Sequence, residues 1–274
     1  MANIPLEDTF ADIIGKAQRG LKIADEDLAG RAGISIEELT KVKGGEFDEA
    51  TVRKLAAPLN LGEKALVELG QNAWHPPSHE IHGLAQFTTQ FEDMTVNSYL
   101  VYELFTKAAV AFDTGANASE MLTFAQKNLL RIKLILVTHA HPDHIADLAR
   151  LQKMTYSKAY SSEAEPVEGT ETFAPGKKFE LGNFEIQTRQ TSGHAKGGIT
   201  YVVAGLKQPV AVVGDAIFCC SMGGGMVSYE EALSTNRENL FTLPDNTIIC
   251  PGHGPLTTIA EQKEHNPFFP EFTK

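Results

Sequence analysis

The chain reads as an α/β (α+β) protein preceded by a small all-α unit, on three observations. Over about the first 70 residues, apolar side chains recur at helical spacing. From about Ile81 the pattern changes to short β-rich runs alternating with helical stretches. Between the two lies QNAWHPPSHE, where two prolines and polar residues stop the helical spacing. Of the 274 residues, 42% are hydrophobic, enough to bury a proper core in one large domain or a large domain plus a small one. The net charge of −11 argues against overall attraction to nucleic acid or an anionic membrane. No stretch approaches the roughly 20 apolar residues of a membrane span, and the start, MANIPLEDTFADIIGK, has no signal-peptide grammar. Cys219 and Cys220 are adjacent and Cys250 stands alone, so no disulfide framework is legible. The expectation is a cytoplasmic protein without a membrane partner.

In chain order, Phe10, Ile13, Ile14 and Ala17 predict a first helix, and Val52, Leu55, Ala56 and Leu59 a later one. The helical unit is placed at residues 1–72, the linker at 73–80 and the larger domain at 81–274. In the linker, His75, His79 and His82 are spaced at three and four, but the prolines oppose a helix and the histidines are expected to be solvated. Beyond it, VNSYLVYEL, AAVAFDTG, IKLILVTHA, FEIQTRQ, ITYVVAG and PVAVVGDA predict strands. Helical patterns occur near residues 120–130, 145–153 and 229–241.

Five of the nine histidines fall in three short segments, each just after an apolar strand-like run. The densest is Thr138-His139-Ala140-His141-Pro142-Asp143-His144. Leaving a strand, His139 and His141 can point the same way by the two-residue side-chain period, while Asp143 and His144 come round on the following helical turn. One segment can thus serve two adjacent metals. His194 in Ser-Gly-His-Ala-Lys-Gly-Gly and His253 in Pro-Gly-His-Gly-Pro have small neighbours that permit close approach. Asp215 follows the apolar run 210–213 and supplies a carboxylate.

With these segments in this order, residues 81–274 resemble the metallo-β-lactamase-fold superfamily, a four-layer αββα sandwich with a metal site along one edge of its sheets. The resemblance implies that His139, His141 and His194 bind one metal, Asp143, His144 and His253 a second, and that Asp215 bridges them. Asp143 and Asp215 are the candidate catalytic carboxylates. Two divalent ions are implied; zinc suits the imidazole and carboxylate donors, and iron or manganese is accepted by the same set. A water between two cations is acidified towards neutrality and charge on the attacked oxygen is stabilised, so hydrolysis of a small-molecule substrate is the natural chemistry. Asp113, in Asp-Thr-Gly after a strand, resembles the superfamily's early aspartate that orients a liganding histidine. Asn97-Ser98-Tyr99 resembles part of the second strand and is read as structural.

Asp215 stands where zinc β-lactamases of the commonest subclass carry a cysteine, which points to the hydrolase branch. There the chain is most similar to the glyoxalase II-like (hydroxyacylglutathione hydrolase-like) group, and a thioester or related acyl ester is the implied substrate. It departs from that group after Asp215, where AIFCCSMGGGMVSYEEA brings no basic residue until Arg237, and in having only about twenty residues after His253. The resemblance therefore does not extend to glutathione binding. The loop of residues 221–229, with Met222 and Met226, is the candidate for shaping the substrate pocket. The alternatives are a persulfide dioxygenase with one iron held by the positions of His139, His194 and Asp215, and a metabolite-sensing DNA-binding regulator.

The regulator alternative arises because residues 27–32, Gly33 and residues 36–43 resemble the helix-turn-helix of lambda-repressor and Cro-like domains. DNA reading would need basic and amide side chains on the second helix, which begins with Glu37 and Glu38. Residues 1–72 hold 9 Lys and Arg against 13 Asp and Glu, a balance of −4 that opposes phosphate binding. A homodimer contact or a cover over the active-site face is preferred for this unit.

Overall fold

The computed structural model describes residues 4–272. Five helices come first: α1 (Phe10–Leu21), α2 (Asp25–Ala32), α3 (Ile36–Lys43), α4 (Glu49–Ala56) and, after a 3-10 turn at Ala57–Leu59, α5 (Glu63–Gly70). The sequence marks their ends. Thr9 and Ser35 accept from the backbone N–H three residues on, while Asp12 and Glu38 accept from the cap N–H in return. Gly33, at φ 63, ends α2 in the left-handed conformation that glycine adopts without penalty.

The body follows with β1 (Leu84–Phe91), β2 (Met94–Tyr102), β3 (Ala108–Phe112), α6 (Ser119–Lys127), β4 (Arg131–Leu136), α7 (Pro142–Ile145), α8 (Leu148–Thr155), β5 (Lys158–Ser162) and β6 (Glu171–Phe173). Then come β7 (Lys178–Leu181), β8 (Phe184–Gln190), β9 (Ile199–Ala204), β10 (Val210–Gly214), α9 (Tyr229–Asn239), β11 (Ile248–Pro251), β12 (Thr257–Thr258) and α10 (Ile259–His265). Strands β1 to β6 form one sheet in chain order, and the second runs β12-β11-β10-β9-β8-β7.

Alternation along β3 sets the layers: Val110 and Phe112 face the second sheet, where they meet Ile186, Tyr201 and Val212, while Ala109 and Ala111 face Met121 of α6 and Leu151 of α8. The outer face of the second sheet, with Ala211, Val213 and Ile249, is covered by α9, α10, Phe268 and Phe269. The order is helix, sheet, sheet, helix. The N-terminal helices join this last layer, since Ile13, Ile14, Leu28 and Leu55 belong to the same continuous core. Approach is close: a Cβ on Gly20 of α1 would lie 2.2 Å from the Tyr229 ring of α9, and Gly62 N–H donates to Pro267 O at 2.7 Å.

Two expectations for single residues change. His75 and His79 are half-buried and bound rather than solvated, His75 Nε2 at 3.1 Å from Ile4 O and His79 Nε2 at 3.2 Å from Glu261 Oε2; His82 is exposed. Met222 is buried in the core rather than lining a pocket, whereas Met226 is 77% exposed. Among the described residues no helix is long and apolar enough to cross a membrane.

Candidate metal centre

Strand direction collects the site at one edge. β3 and β4 are parallel, β10 and β11 are parallel, and β8, antiparallel to β9, points the same way as β10. The residues leaving the C-terminal ends of these strands are Asp113, His139 to His144, Asp215, His253 and, after β8, His194. Cross-sheet bonds fix the loops: Ile199 N–H donates to Thr138 O at 2.9 Å, Tyr201 OH to Val137 O at 2.7 Å and Tyr99 OH to Pro251 O at 2.7 Å.

All seven candidate ligands come together in two groups. His139, His141, His194 and Asp215 offer donor atoms within 4.8 Å of one another, and so do Asp143, His144 and His253. Asp215 touches both: its Oδ2 is 3.3 Å from His194 Nε2 and 3.4 Å from His253 Nε2, while Oδ1 is 3.2 Å from His144 Nε2. Asp143 Oδ2 is 3.4 Å from both His144 Nε2 and His253 Nε2, and His194 Nε2 is 3.1 Å from His141 Nδ1. Donors about 2.0–2.1 Å from a tetrahedral ion stand about 3.3–3.4 Å apart, close to the spacing of these edges.

The polar accounting agrees. His139 Nε2, His144 Nε2 and Asp215 Oδ1 are buried without a hydrogen-bond partner. Such atoms are costly in a native interior unless something else binds them. The other ring nitrogens of His144, His194 and His253 are held. Asp113 Oδ2 accepts from His144 Nδ1–H at 2.8 Å, and the same carboxylate accepts from Thr138 N–H and Thr138 Oγ1–H, both at 2.7 Å. His253 Nδ1–H donates to Thr95 O at 2.6 Å and His194 Nδ1–H to Gly224 O at 2.9 Å. Each bond takes up Nδ1 and aims Nε2 at the cluster, where a neutral ring would present its lone pair. Glycine makes the room: a Cβ on Gly252 would lie 2.0 Å from Asp215 Oδ1, and one on Gly223 would lie 2.8 Å from His194 Nδ1.

Charge is balanced inside the cluster. Burial opposes a charge on His144, but Asp215 and Asp113 outweigh it and push its pKa up to about 10. Burial likewise opposes His253, which Asp143 and Asp215 push up to about 11. Burial, with neighbouring imidazoles, keeps His139 well below its ordinary value. Burial opposes ionisation of Asp215, yet His144 and His253 hold its carboxyl well below the usual range. Cations entering here would displace the imidazolium protons.

Sequence reasoning missed Asn97 as part of this site. Its Nδ2 donates to Pro251 O at 3.1 Å and Gly254 O at 2.8 Å, and its N–H donates to Gly252 O at 2.7 Å, clamping the His253 loop. The Asn-Ser-Tyr stretch was the available signal.

The sequence profile of the Metallo-beta-lactamase superfamily matches residues 92–253. A probable metallo-hydrolase of Streptococcus pyogenes serotype M6 is 30% identical over 200 residues, 62% of this chain and 84% of that protein. The hydroxyacylglutathione hydrolase GloC of Haemophilus influenzae is 28% identical over 187 residues, 59% of this chain and 87% of that protein. Among solved structures, the B3 metallo-beta-lactamase BLEG-1 superposes with a TM-score of 0.58 at 27% identity, covering 68% of this chain and 99% of that one.

Proposed function

The chain belongs to the metallo-beta-lactamase superfamily, and from that premise we propose that it is a dinuclear metal-dependent hydrolase of thioesters or related acyl esters. The observation that carries this reading is that one carboxylate, Asp215, touches imidazoles of two separate ligand groups. His139, His141 and His194 would hold one divalent ion, Asp143, His144 and His253 the other, and Asp215 both. The chemistry such ions supply when bound is acidification of a water and stabilisation of negative charge on the attacked carbonyl oxygen. The chain's own residues do the rest. Asp113, Thr95 O and Gly224 O fix imidazole tautomers and directions, and Asn97 holds the loop that carries His253.

The second ligand group favours this reading over a single-iron dioxygenase, for which His139, His194 and Asp215 would suffice. The acidic N-terminal helices favour it over a DNA-binding regulator: Lys41 is paired with Glu37 on α3 at 2.8 Å. The thioester class draws support from the likeness to a hydroxyacylglutathione hydrolase. Zinc is proposed first, with iron and manganese acceptable to the same donors.

Elemental analysis of protein purified without added metal tests the centre, and a screen of thioesters, lactones, phosphodiesters and a β-lactam tests the reaction. About two ions per chain and thioester turnover that vanishes in Asp215→Ala are expected. A single iron per chain with oxygen consumption on a persulfide would overturn the hydrolase reading.

A further inference from the structure

The N-terminal segment lies against the loop that carries His253. Residues 5–8 run beside the second ligand group: a Cβ on Gly254, next to His253, would lie 3.3 Å from Glu7 N and 3.6 Å from both Glu7 Cβ and Pro5 O. One residue on, Asp8 accepts from Lys16 Nζ and from Ser221 Oγ, each at 2.5 Å. Lys16 Nζ also donates to Met222 O at 2.9 Å and stands 5.1 Å from the centre of the Phe218 ring, which lies T-shaped to the His253 imidazole with ring centres 5.4 Å apart. The segment is thus pinned between the loop that follows Asp215 and the loop that carries His253.

Lys16 is engaged by Asp8. Among the described residues the half-buried Glu7 carboxylate has no ion-pair or hydrogen-bond partner of its own. Burial raises the Glu7 carboxyl above its ordinary value, His253 and Lys16 draw it down, and Asp8 and Asp215 push it up. No lysine or arginine lies between Asp215 and Arg237 to offset that charge. The exposed Lys196 belongs to the other ligand group's segment, two residues after His194.

We propose that Glu7 is a specificity-determining residue of this centre, lining it beside His253 and selecting acyl groups that are neutral or carry an ammonium over those that carry a carboxylate. The inference rests on the hydrolase reading. It gives the N-terminal helices a role, because α1 supplies the lysine that holds the segment in place.

The test uses the full chain loaded with zinc and three small thiols that bind zinc through sulfur: cysteamine, 3-mercaptopropionate and 2-mercaptoethanol. They differ in carrying an ammonium, a carboxylate or a neutral hydroxyl. Calorimetry on the parent is expected to show tighter binding of cysteamine than of 3-mercaptopropionate. In Glu7→Gln that preference falls by at least about fivefold, with 2-mercaptoethanol changed by less than about twofold, and in Glu7→Lys it reverses. An unchanged preference in Glu7→Gln overturns the proposal, as does failure of the zinc-loaded parent to bind any of the thiols. A fall in zinc content in Glu7→Gln also overturns it, since Glu7 would then be holding metal. Hydrolysis assayed on the same preparations separates the two readings. A protein that shows the thiol preference and hydrolyses nothing loses the hydrolase reading and keeps the charge selection. One that hydrolyses thioesters with the preference unchanged in Glu7→Gln loses only the role of Glu7.

Discussion

The two candidate ligand groups both approach Asp215 but are built differently. In the second, His144 and His253 are buried, one braced by the Asp113 carboxylate and the other by Thr95 O, and Asn97 clamps the loop from 251 to 254. In the first, His141 and His194 are half-exposed, and His194 leans on Gly224 O, within a run of three glycines that leads to the exposed Met226 and Val227. One group is a closed cradle and the other opens towards solvent. A hydrolytic centre needs both properties, since charge stabilisation depends on donors that do not reorganise while a substrate must still reach the reacting atoms.

Removing the shared carboxylate is the largest perturbation. Asp215→Ala is expected to release ions from both groups and lower turnover at least about 10³-fold, whereas His194→Ala should empty only the first group. Metal counts by elemental analysis on both variants decide the matter: one ion retained in Asp215→Ala would mean that the groups bind independently. Gly252→Ala follows. Its methyl would sit 2.0 Å from Asp215 Oδ1 and 2.7 Å from His144 Cε1, in a loop with no freedom to yield. A loss of about 100-fold in activity is expected. In the open group, Gly224→Ala would meet only Met226 Sδ at 3.8 Å and should cost far less. Equal losses would erase the contrast between cradle and opening.

Asp113→Asn probes the brace alone. Its carboxylate takes three hydrogen bonds, from His144 Nδ1–H and from two donors of Thr138, and an amide can accept through only one oxygen. Second-group metal affinity should fall about 10–100-fold in a chelator competition, with the first group's affinity nearly unchanged. A uniform fall in both would show that the Thr138 turn, which also carries His139, is what Asp113 holds.

The segments that hold the seven candidate donors stood out because each follows an apolar strand-like run and has small or polar neighbours, and the superfamily resemblance supplied the ligand set. Individual strands were legible where they alternate or run apolar, as in β3, β4 and β10, while the αββα layering came from the resemblance to the superfamily. The strand β11, whose four residues are all buried and so carry no period, was not legible, nor were the short β6 and β12. The helices α2 and α3 lie within two residues of where the helix-turn-helix resemblance put them on either side of Gly33. What the sequence hid was contact across long separations. Asp8 meets Ser221 from 213 positions away and Lys16 meets Met222 from 206, and no local signal in MANIPLEDTF says so. Met222 illustrates the converse: a methionine in a glycine-rich loop reads as pocket lining, yet it fills the core beneath the loop.

The smallest effect concerns what stiffens the closed group from behind. Glu261 Oε2 accepts from Thr258 N–H at 2.8 Å and Thr257 Oγ1–H at 2.9 Å and faces His79 Nε2 at 3.2 Å, tying the start of α10 to β12 and the linker just beyond the His253 loop. Burial opposes its charge, but His79, Thr257 and Thr258 outweigh burial and hold its carboxyl below the ordinary 4.5. A depressed carboxyl contributes stability that is fully present above the unfolded value and is lost as pH falls through the folded one. Glu261→Gln should therefore cost about 1 kcal/mol near neutral pH and clearly less by about pH 3, read from urea unfolding across that range. If second-group metal affinity is unchanged in the same variant at neutral pH, the cradle is rigid through Asn97 and Asp113 alone; if it weakens, the stiffness of the closed group extends through α10 to the linker.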